Sequence, residues 1–429
     1  MKNKIAQLKK HPKYNSFIHW GKLISITGSA QLIVQAVGFA CGILIVRLLP
    51  VQEYAFYTLA NTMLGTMTVL SDGGISAGVM AQGGKVWQDK ERLGIVLATG
   101  LDLRKKFAIV SLLIMLPILF YLLIHNNASW ITSILIVLSL IPAFFAVLSD
   151  SLLEIVPKLH SAIIPLQKNQ MIVAIGRLVL SGIMVFAFPW AFTAILASGI
   201  PRIYGNFKLS KISYGFAKIK SCPDAEIQKQ ILSVVKRIMP GTIYFAFNGQ
   251  LTIWLISIFG STTSLAEVGA IGRFSIIFTI LGTVSTMLIS PYFAKSIDNN
   301  YRLRMKFYSF ILSLIISIIV IILFVNCFST LFLSILGPKY ITLQVELLLV
   351  LIASGMSFLS GVSFNVLSSK GWPTPPVIII TGNICFVIFG LYLFDIRELK
   401  QVLFFNIFIS IFPVVIHSLY FLYKTKISR

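Results

Sequence analysis

Long runs of apolar residues alternate with short polar segments along the whole chain, and these runs predict the secondary structure. A membrane-spanning helix needs about 20 mainly apolar residues. Twelve runs have this character, at 23–49, 54–81, 107–125, 130–153, 169–188, 190–206, 238–260, 266–294, 307–327, 343–368, 376–394 and 402–423. The fifth and sixth runs are crowded and meet at Pro189, so eleven spans are the alternative.

The composition agrees with an all-α polytopic membrane protein. Hydrophobic residues make up 57% of the 429 positions and charged residues 12%, about half of the charged share of a soluble domain. The mean hydropathy is +0.88. A net charge of +22 would indicate nucleic-acid binding in a soluble protein. Here apolar runs separate the basic residues, so we expect no nucleic-acid partner.

The distribution of the basic residues predicts the orientation of the helices. If the N-terminus is cytoplasmic, 31 of the 36 Lys and Arg residues lie in cytoplasmic segments and 5 lie on the other side. The opposite orientation would violate the positive-inside rule. We therefore expect both termini in the cytoplasm. The connections on the outer side are short and leave no room for an extracytoplasmic domain.

The predicted spans divide into two groups of six. A mixed-charge segment at 207–237 falls halfway along the chain, which predicts lobes at 1–206 and 238–429 joined by a cytoplasmic linker. Residues 42–57 and 253–270 share one pattern, with Glu53 and Glu267 in equivalent places. Two lobes inserted with the same topology would be related by an axis along the membrane normal. The alternative is that helix hairpins in general look alike at this level.

Several short motifs resemble those of the multidrug/oligosaccharidyl-lipid/polysaccharide exporter superfamily, and most closely those of its O-antigen or capsule repeat-unit flippases. The main motif is Arg47-Leu48-Leu49-Pro50-x-x-Glu53-Tyr54-Ala55-x-Tyr57, in which Leu49 and Ala55 replace two glycines of the family pattern. The others are Asp72-Gly73-Gly74-Ile75, Glu267-Val268-Gly269, Ser290-Pro291-Tyr292 and Leu336-Gly337-Pro338-Lys339-Tyr340.

The resemblance implies two pseudo-symmetric six-helix lobes around a central cavity. It implies a transporter that flips undecaprenyl-pyrophosphate-linked oligosaccharides across the bacterial inner membrane by alternating access. An H⁺ or Na⁺ gradient would drive it, with no other cofactor and no bound metal. The expected partners are the lipid-linked oligosaccharide, membrane lipids, and the glycan polymerase and chain-length machinery. We expect a monomer.

Two other functions stay open on the sequence. A cation-coupled multidrug or small-molecule exporter is the first alternative, because Arg237-Ile238-Met239-Pro240-Gly241 resembles a pattern of that branch. The run 23–49 has no acidic residue and no proline, where that branch usually carries them. A membrane glycan polymerase or ligase is the second alternative, but such enzymes need substantial outer loops. We therefore expect no enzyme activity, and the chain has no phosphate-binding Gly-x-x-x-x-Gly-Lys motif.

Polar residues spaced along single helix faces predict the walls of a cavity, because polar side chains inside a membrane face other helices or water. The candidates are Gln31 and Gln35 in helix one, Tyr57, Asn61 and Asp72 in helix two, Asn248 in helix seven and Asn365 in helix ten. Helix packing is the alternative for the glutamines. An interfacial aromatic belt explains Tyr54 equally well.

Three arginines inside or beside apolar runs are the remaining candidates. An arginine at the membrane centre costs at least about 2.5–3.5 kcal/mol, and its guanidinium pairs well with phosphate oxygens. Arg273 lies deepest and is the first candidate for binding the pyrophosphate, followed by Arg177 and Arg47. Arg177 is also explained by snorkelling to the cytoplasmic face, and Arg47 by an ion pair with Glu53.

Overall fold

The computed structural model describes residues 12–218, 222–295 and 300–427, and within these ranges its regular structure is helical. The first lobe contains α1 (Pro12–Leu48), α2 (Val51–Asp72), α3 (Ile75–Lys85), α4 (Lys90–His125), α5 (Trp130–Leu153), α6 (Ile155–Leu159), α7 (Ile163–Ala187) and α8 (Ala191–Tyr214). The second lobe contains α9 (Ala225–Phe259), α10 (Thr262–Ile271), α11 (Ile276–Lys295), α12 (Asn300–Cys327), α13 (Ser329–Leu336), α14 (Gln344–Ser369), α15 (Pro376–Leu393) and α16 (Leu399–Ile427). Two 3-10 turns, Gly272–Ser275 and Pro338–Tyr340, complete it.

The predicted number of spans agrees with the structure. Ten helical segments of the described residues are long and apolar enough to cross a membrane, and α10 and α11 form one of them together. The more polar helices α2 and α8 have 22 and 24 residues, which correspond to about 33 and 36 Å of helix. Both lengths are sufficient for a bilayer core of about 30 Å. The break predicted at Pro189 separates α7 from α8, and each of the two helices is long enough to cross the bilayer core.

The second predicted span, 54–81, is in fact two helices. Gly73 and Gly74 have φ angles of 48° and 100°, a left-handed conformation that glycine adopts without a Cβ penalty. The Gly73 N–H donates to the Val69 carbonyl oxygen at 3.0 Å and closes the last turn of α2. The chain then turns into the short helix α3, which packs against α4 and α9.

The predicted linker 207–237 is helical at both ends. Helix α8 continues to Tyr214, and α9 already begins at Ala225, where the Asp224 side chain accepts the Ile227 N–H at 2.8 Å. Between them, the Lys218 N–H donates to the Lys90 carbonyl oxygen at 2.9 Å. The Glu91 carboxylate accepts a hydrogen bond from the Lys218 side chain and raises the pKa of that lysine. These contacts hold the segment against the first lobe.

The two ends of the helix bundle are packed differently. We call the end with the turns 49–50, 126–129, 260–261 and 337–343 the far end, and the end with the turns 86–89, 160–162 and 370–375 the basic end. The largest apolar cluster lies towards the far end and joins both lobes, with Tyr54 and Leu59 from α2 beside Leu265 and Leu336. Towards the basic end the apolar clusters are separate. One contains first-lobe helices with the start of α9, and the other contains second-lobe helices alone.

Candidate functional site

A polar cavity of about 640 Å³ occupies the space between α2 and the second lobe. We call it the central cavity. Its first-lobe wall consists of Thr58, Asn61 and Thr62 of α2. Its second-lobe wall includes Arg273 and many neutral polar residues, among them Asn248, Gln250, Ser275, Ser354, Ser357, Asn383, Asn406, Ser410 and His417. None of its lining residues is acidic, so Arg273 supplies its fixed charge.

A second cavity of about 320 Å³ lies inside the first lobe, and we call it the first-lobe cavity. Asn61 of α2 lines both cavities and stands between them. Unlike the central cavity, this one is lined by ionisable residues of both signs: Asp150, Glu154, Arg177 and Arg202. The environment along α2 therefore changes from a cavity whose charged residue is an arginine to a cavity with charges of both signs.

Arg273 is held at the boundary of the two lobes by aromatic side chains. It lies in the 3-10 turn after α10, and its Nε donates to the Tyr54 hydroxyl at 3.3 Å. Its guanidinium carbon is 6.0 Å from the centre of the Tyr57 ring, which is the outer limit of a cation–π contact. A Cβ added at Gly42 would lie 3.2 Å from Arg273 Cδ, so the glycine makes room for this side chain. Within the described residues, no salt bridge neutralises Arg273.

Arg177 of α7 approaches the same tyrosine from the first lobe. Both Arg177 and Arg273 lie close enough to Tyr57 to act on its hydroxyl electrostatically. The Tyr57 side chain is 1% exposed, yet neither its hydroxyl nor Arg177 Nε has a hydrogen-bond partner of normal geometry. Unpaired buried donors cost free energy. Two guanidinium groups and a phenol therefore form a cationic cluster at the boundary of the two lobes.

The acidic residues of the first-lobe cavity are engaged with partners. Asp150 accepts hydrogen bonds from Arg202 Nε at 3.2 Å and Asn206 Nδ2 at 2.8 Å. Glu154 binds Lys158 at 2.7 Å and Gln170 at 2.8 Å. Gln170 in turn accepts a hydrogen bond from Gln31 of α1 at 2.9 Å. The bonds of Asp150 connect α5 with α8, and those of Glu154 and Gln170 connect the end of α5 with α7 and α1 around the cavity.

The structure brings most of the predicted residues to these cavities. Asn248 and Arg273 line the central cavity, whereas Gln31, Tyr57 and Arg177 line the first-lobe cavity. Asn365 lines an adjoining groove between α11 and α14, where its Nδ2 donates to Thr286 at 3.0 Å. Gln35 is half-buried and lines neither cavity. Tyr54 does not belong to an interfacial belt, because it is 0% exposed.

The predicted placement of Asp72 in a cavity wall was wrong. Its carboxylate lies 3.0 Å from Arg104, which is itself 2% exposed. It also accepts hydrogen bonds from the Ser76 N–H at 3.1 Å and the Ser76 hydroxyl at 2.6 Å. A buried arginine needs such a counter-ion. Asp72 therefore connects α2, the start of α3 and α4 and lines neither cavity.

The predicted ion pair of Arg47 with Glu53 was also wrong. Arg47 Nε and Nη2 donate to the carbonyl oxygens of Ile335 and Ser334 at 2.7 and 2.8 Å, at the C-terminal end of α13. Glu53 accepts the Ala191 N–H at 2.7 Å. Unpaired carbonyls at a helix C-terminus attract cations. Arg47 thus connects the two lobes at the far end and lies outside both cavities.

Some residues of the central cavity were missed in the sequence. Asn383 in α15 and Asn406 and His417 in α16 line it, and a further contact is made by the Thr374 hydroxyl to His417 Nδ1 at 2.8 Å. Each of the three lies inside a mainly apolar run. That position was the available signal, because polar residues within membrane helices face the protein interior.

The far end is closed by contacts between the lobes. The Tyr54 hydroxyl donates to the Gly269 carbonyl oxygen at 2.9 Å. Asn126 Nδ2 donates to the Ser257 carbonyl and hydroxyl oxygens, both at 3.0 Å. From Asn61 the cavity walls extend in the opposite direction, to His417 in the central cavity and to Leu209 in the first-lobe cavity. The cavities therefore lie on the basic-end side of this closure.

Comparison with known proteins identifies the fold. No protein-family model matches the chain, and the curated proteins contain no significant match. Solved structures do match over nearly the whole length. One is an inward-facing conformation of a multidrug resistance MATE family transporter of the MOP superfamily, with a TM-score of 0.71, 12% identity, and coverage of 92% of this chain and 94% of that chain.

Two further structures lead to the same conclusion. An outward-facing MATE transporter has a TM-score of 0.59 at 14% identity, with 94% of each chain covered. A mutant form of a Vibrio cholerae MATE transporter has a TM-score of 0.61 at 15% identity, covering 94% of this chain and 96% of that one. These likenesses confirm the predicted all-α, two-lobed fold, which is the fold of MATE transporters of the MOP superfamily. The chain is more similar to the inward-facing structure than to the outward-facing one.

Proposed function

We propose that this protein is a membrane transporter that works by alternating access, and that its cargo binds in the central cavity. The observation that carries the proposal is a polar cavity between two lobes that are packed together at the far end and have separate apolar clusters at the basic end. Following the positive-inside rule, we place the basic end in the cytoplasm of a bacterial cell. The conformation described here is then the one that accepts cargo from the cytoplasm.

Our first candidate function is the export of small molecules. The similar solved structures include transporters described as multidrug resistance proteins, which favours this assignment over the lipid-linked oligosaccharide flippase. The lining of the central cavity limits the charge of the solutes that can bind, because Arg273 is its charged residue and carboxylates are absent from its walls. A cationic solute would be repelled there. We therefore propose neutral or anionic solutes that can hydrogen-bond to Asn, Gln and Ser side chains.

The first-lobe cavity supplies the groups for ion coupling. Asp150 and Glu154 are carboxylates in its wall, and each is held by neighbours that can rearrange when it binds H⁺ or Na⁺. Export by the Asp150→Asn variant should then lose its dependence on an imposed ion gradient. The Asp102→Asn variant is the matched control, since Asp102 pairs with Lys106 at 2.8 Å on α4 and lines neither cavity.

The lipid-linked oligosaccharide flippase is the second candidate, and one observation favours it. Arg177 and Arg273 both lie near the buried Tyr57 hydroxyl, and guanidinium pairs are well suited to phosphate oxygens. A pyrophosphate group would use both arginines. A small anionic solute would use the same cluster, so the arginines alone do not distinguish the two cargoes.

The two candidates are separated by a pair of assays on the same variants. Everted membrane vesicles should accumulate an anionic fluorescent dye but not the cationic dye ethidium, and Arg273→Ala should abolish the accumulation. Arg273→Lys should restore part of it, because a lysine keeps the charge and loses the bidentate fork. Arg397→Ala, at an exposed position near the far end, is the control. Restored surface polysaccharide in a flippase-deficient strain without dye transport would replace the first candidate with the second. Full dye transport by Arg273→Ala at equal abundance would contradict the assignment of the cargo site.

A further inference from the structure

An apolar groove of about 610 Å³ lies on the outside of the bundle and shares no lining residue with either cavity. Residues of α1 form most of it, Gly182 and Phe186 of α7 form one side, and Ile335 of α13 contributes from the second lobe. Phe186 is 80% exposed, as expected for a side chain that faces lipid. The groove therefore opens to the membrane at the seam between the lobes.

The groove has the dimensions of one leaflet. Its α1 residues run from Ala40 to Leu48, about 12 Å along the helix axis. Half of a bilayer core is about 15 Å thick. Since α1 ends at Leu48, the groove begins at the level of the headgroups and continues towards the membrane centre. An extended hydrocarbon chain fits this depth.

A single charged residue, Arg47, stands at the headgroup end of this groove. It uses Nε and Nη2 for the two carbonyl oxygens of α13. Its Nη1 makes no hydrogen bond, and no carboxylate pairs with it, among the described residues. Carbonyl oxygens orient a guanidinium but do not neutralise its charge. An exposed arginine at this depth can therefore form charge-assisted hydrogen bonds to the phosphate of a lipid.

We propose that this groove binds an anionic glycerophospholipid, with an acyl chain against α1 and α7 and the phosphate on Arg47. The charge at the head of an otherwise apolar groove selects anionic over zwitterionic lipids. The proposal does not depend on the identity of the cargo.

A lipid at this position would also affect the conformation. The groove is complete only while Ile335 and the carbonyls that hold Arg47 stay beside α1, which is the arrangement closed at the far end. A ligand shifts a protein towards the state that it binds better. Anionic lipid in this leaflet should therefore stabilise the closed far end and slow its opening.

The proposal is tested by native mass spectrometry of the full-length, delipidated protein, titrated with phosphatidylglycerol and with phosphatidylcholine. The wild type should retain phosphatidylglycerol about tenfold more tightly, as expected for one charge-assisted contact. Arg47→Gln should remove this preference, and Arg397→Gln should keep it. Gly182→Leu provides a second variant that leaves Arg47 intact. A Cβ at Gly182 would meet Leu44 at an ordinary 3.6 Å, so a longer side chain fills the groove and should weaken the binding of both lipids.

The conformational part is tested in nanodiscs by the distance between spin labels on the two lobes at the far end. Phosphatidylglycerol should favour the short distance in the wild type and have no effect on Gly182→Leu. Equal retention of the two lipids by the wild type would overturn the proposal, as would an unchanged preference in Arg47→Gln. Binding of phosphatidylglycerol that Gly182→Leu does not weaken would place the lipid elsewhere.

Discussion

The hydroxyl of Tyr54 donates a hydrogen bond to the carbonyl oxygen of Gly269 at 2.9 Å, and this bond joins the two lobes. Tyr54 lies in the first turn of α2 and Gly269 in α10. The same hydroxyl accepts a hydrogen bond from Arg273. One buried phenol therefore connects the closure of the far end to the arginine that lines the central cavity.

Replacing Tyr54 by Phe should make the far end open more often. The variant loses both hydrogen bonds of this hydroxyl, to Gly269 and from Arg273. One such bond alone is worth about 1 kcal/mol, so the open population should rise about fivefold or more. The reporter is a single cysteine at Asn61, which lines both cavities. In intact cells, an impermeant maleimide should label it faster in Tyr54→Phe than in the Tyr54 parent. Equal labelling rates would mean that the hydrogen bonds of the Tyr54 hydroxyl do not stabilise the closure of the far end.

Replacing Gly269 by Ala should have a stronger effect in the same assay. A Cβ at Gly269 would lie 2.7 Å from Thr58 Cγ2 and 3.1 Å from Thr58 Cβ, too close for α2 and α10 to keep their separation. Labelling at residue 61 should therefore be fast, and transport should be lost because the far end does not close. Gly272→Ala is the control three residues further on, where an added Cβ meets nothing within 4 Å. Slow labelling of Gly269→Ala would show that the close approach is not needed for closure.

Asp72 and Arg104 should matter for stability and not for cargo. Breaking a fully buried ion pair costs about 3–5 kcal/mol. Asp72 is 28% exposed, so we expect about 2 kcal/mol for Arg104→Ala, seen as a drop of several degrees in Tm. Asp72→Asn keeps an oxygen that can accept the hydrogen bonds of Ser76, so its loss of stability should be smaller. Transport per folded molecule should stay unchanged in both. An Asp72→Asn variant with normal Tm and no transport would return Asp72 to the transport site.

The spans were predictable from the sequence, because about 20 apolar residues leave a chain few alternatives in a membrane. The apolar pattern did not predict the correct helix bounds in two polar segments. The run 54–81 is interrupted by Ser71-Asp72-Gly73-Gly74, which is a turn signal, but apolar residues resume at Ile75 and extend the predicted span past this turn. The segment 225–237 has the mixed charge of a linker, yet it is the start of α9. Its apolar face packs on α3, where a Cβ at Gly78 would meet Ile231 Cγ2 at 2.9 Å.

The cavity residues were predictable in part for a related reason. The spacing of polar residues predicts which face of a helix they share, but it does not predict which other helix packs against that face. Asn61 and Asp72 share the polar face of α2, and only the position of Arg104 on α4 separates a cavity residue from a structural one. Arg47 and Glu53 are close in sequence, but each finds a backbone partner more than a hundred residues away. Such partners follow from the tertiary structure.

The most direct test of alternating access is a reversible lock on the far end. Asn126 and Ser257 face each other across this closure, with Asn126 Nδ2 3.0 Å from Ser257 Oγ. In a background without the four native cysteines, Asn126→Cys/Ser257→Cys should be cross-linked by a short bis-methanethiosulfonate reagent, while either single variant should not. The cross-linked protein should stop transporting and should regain transport in dithiothreitol. Undiminished transport by the fully cross-linked protein would contradict the account, because cargo would then cross the membrane without the far end ever opening.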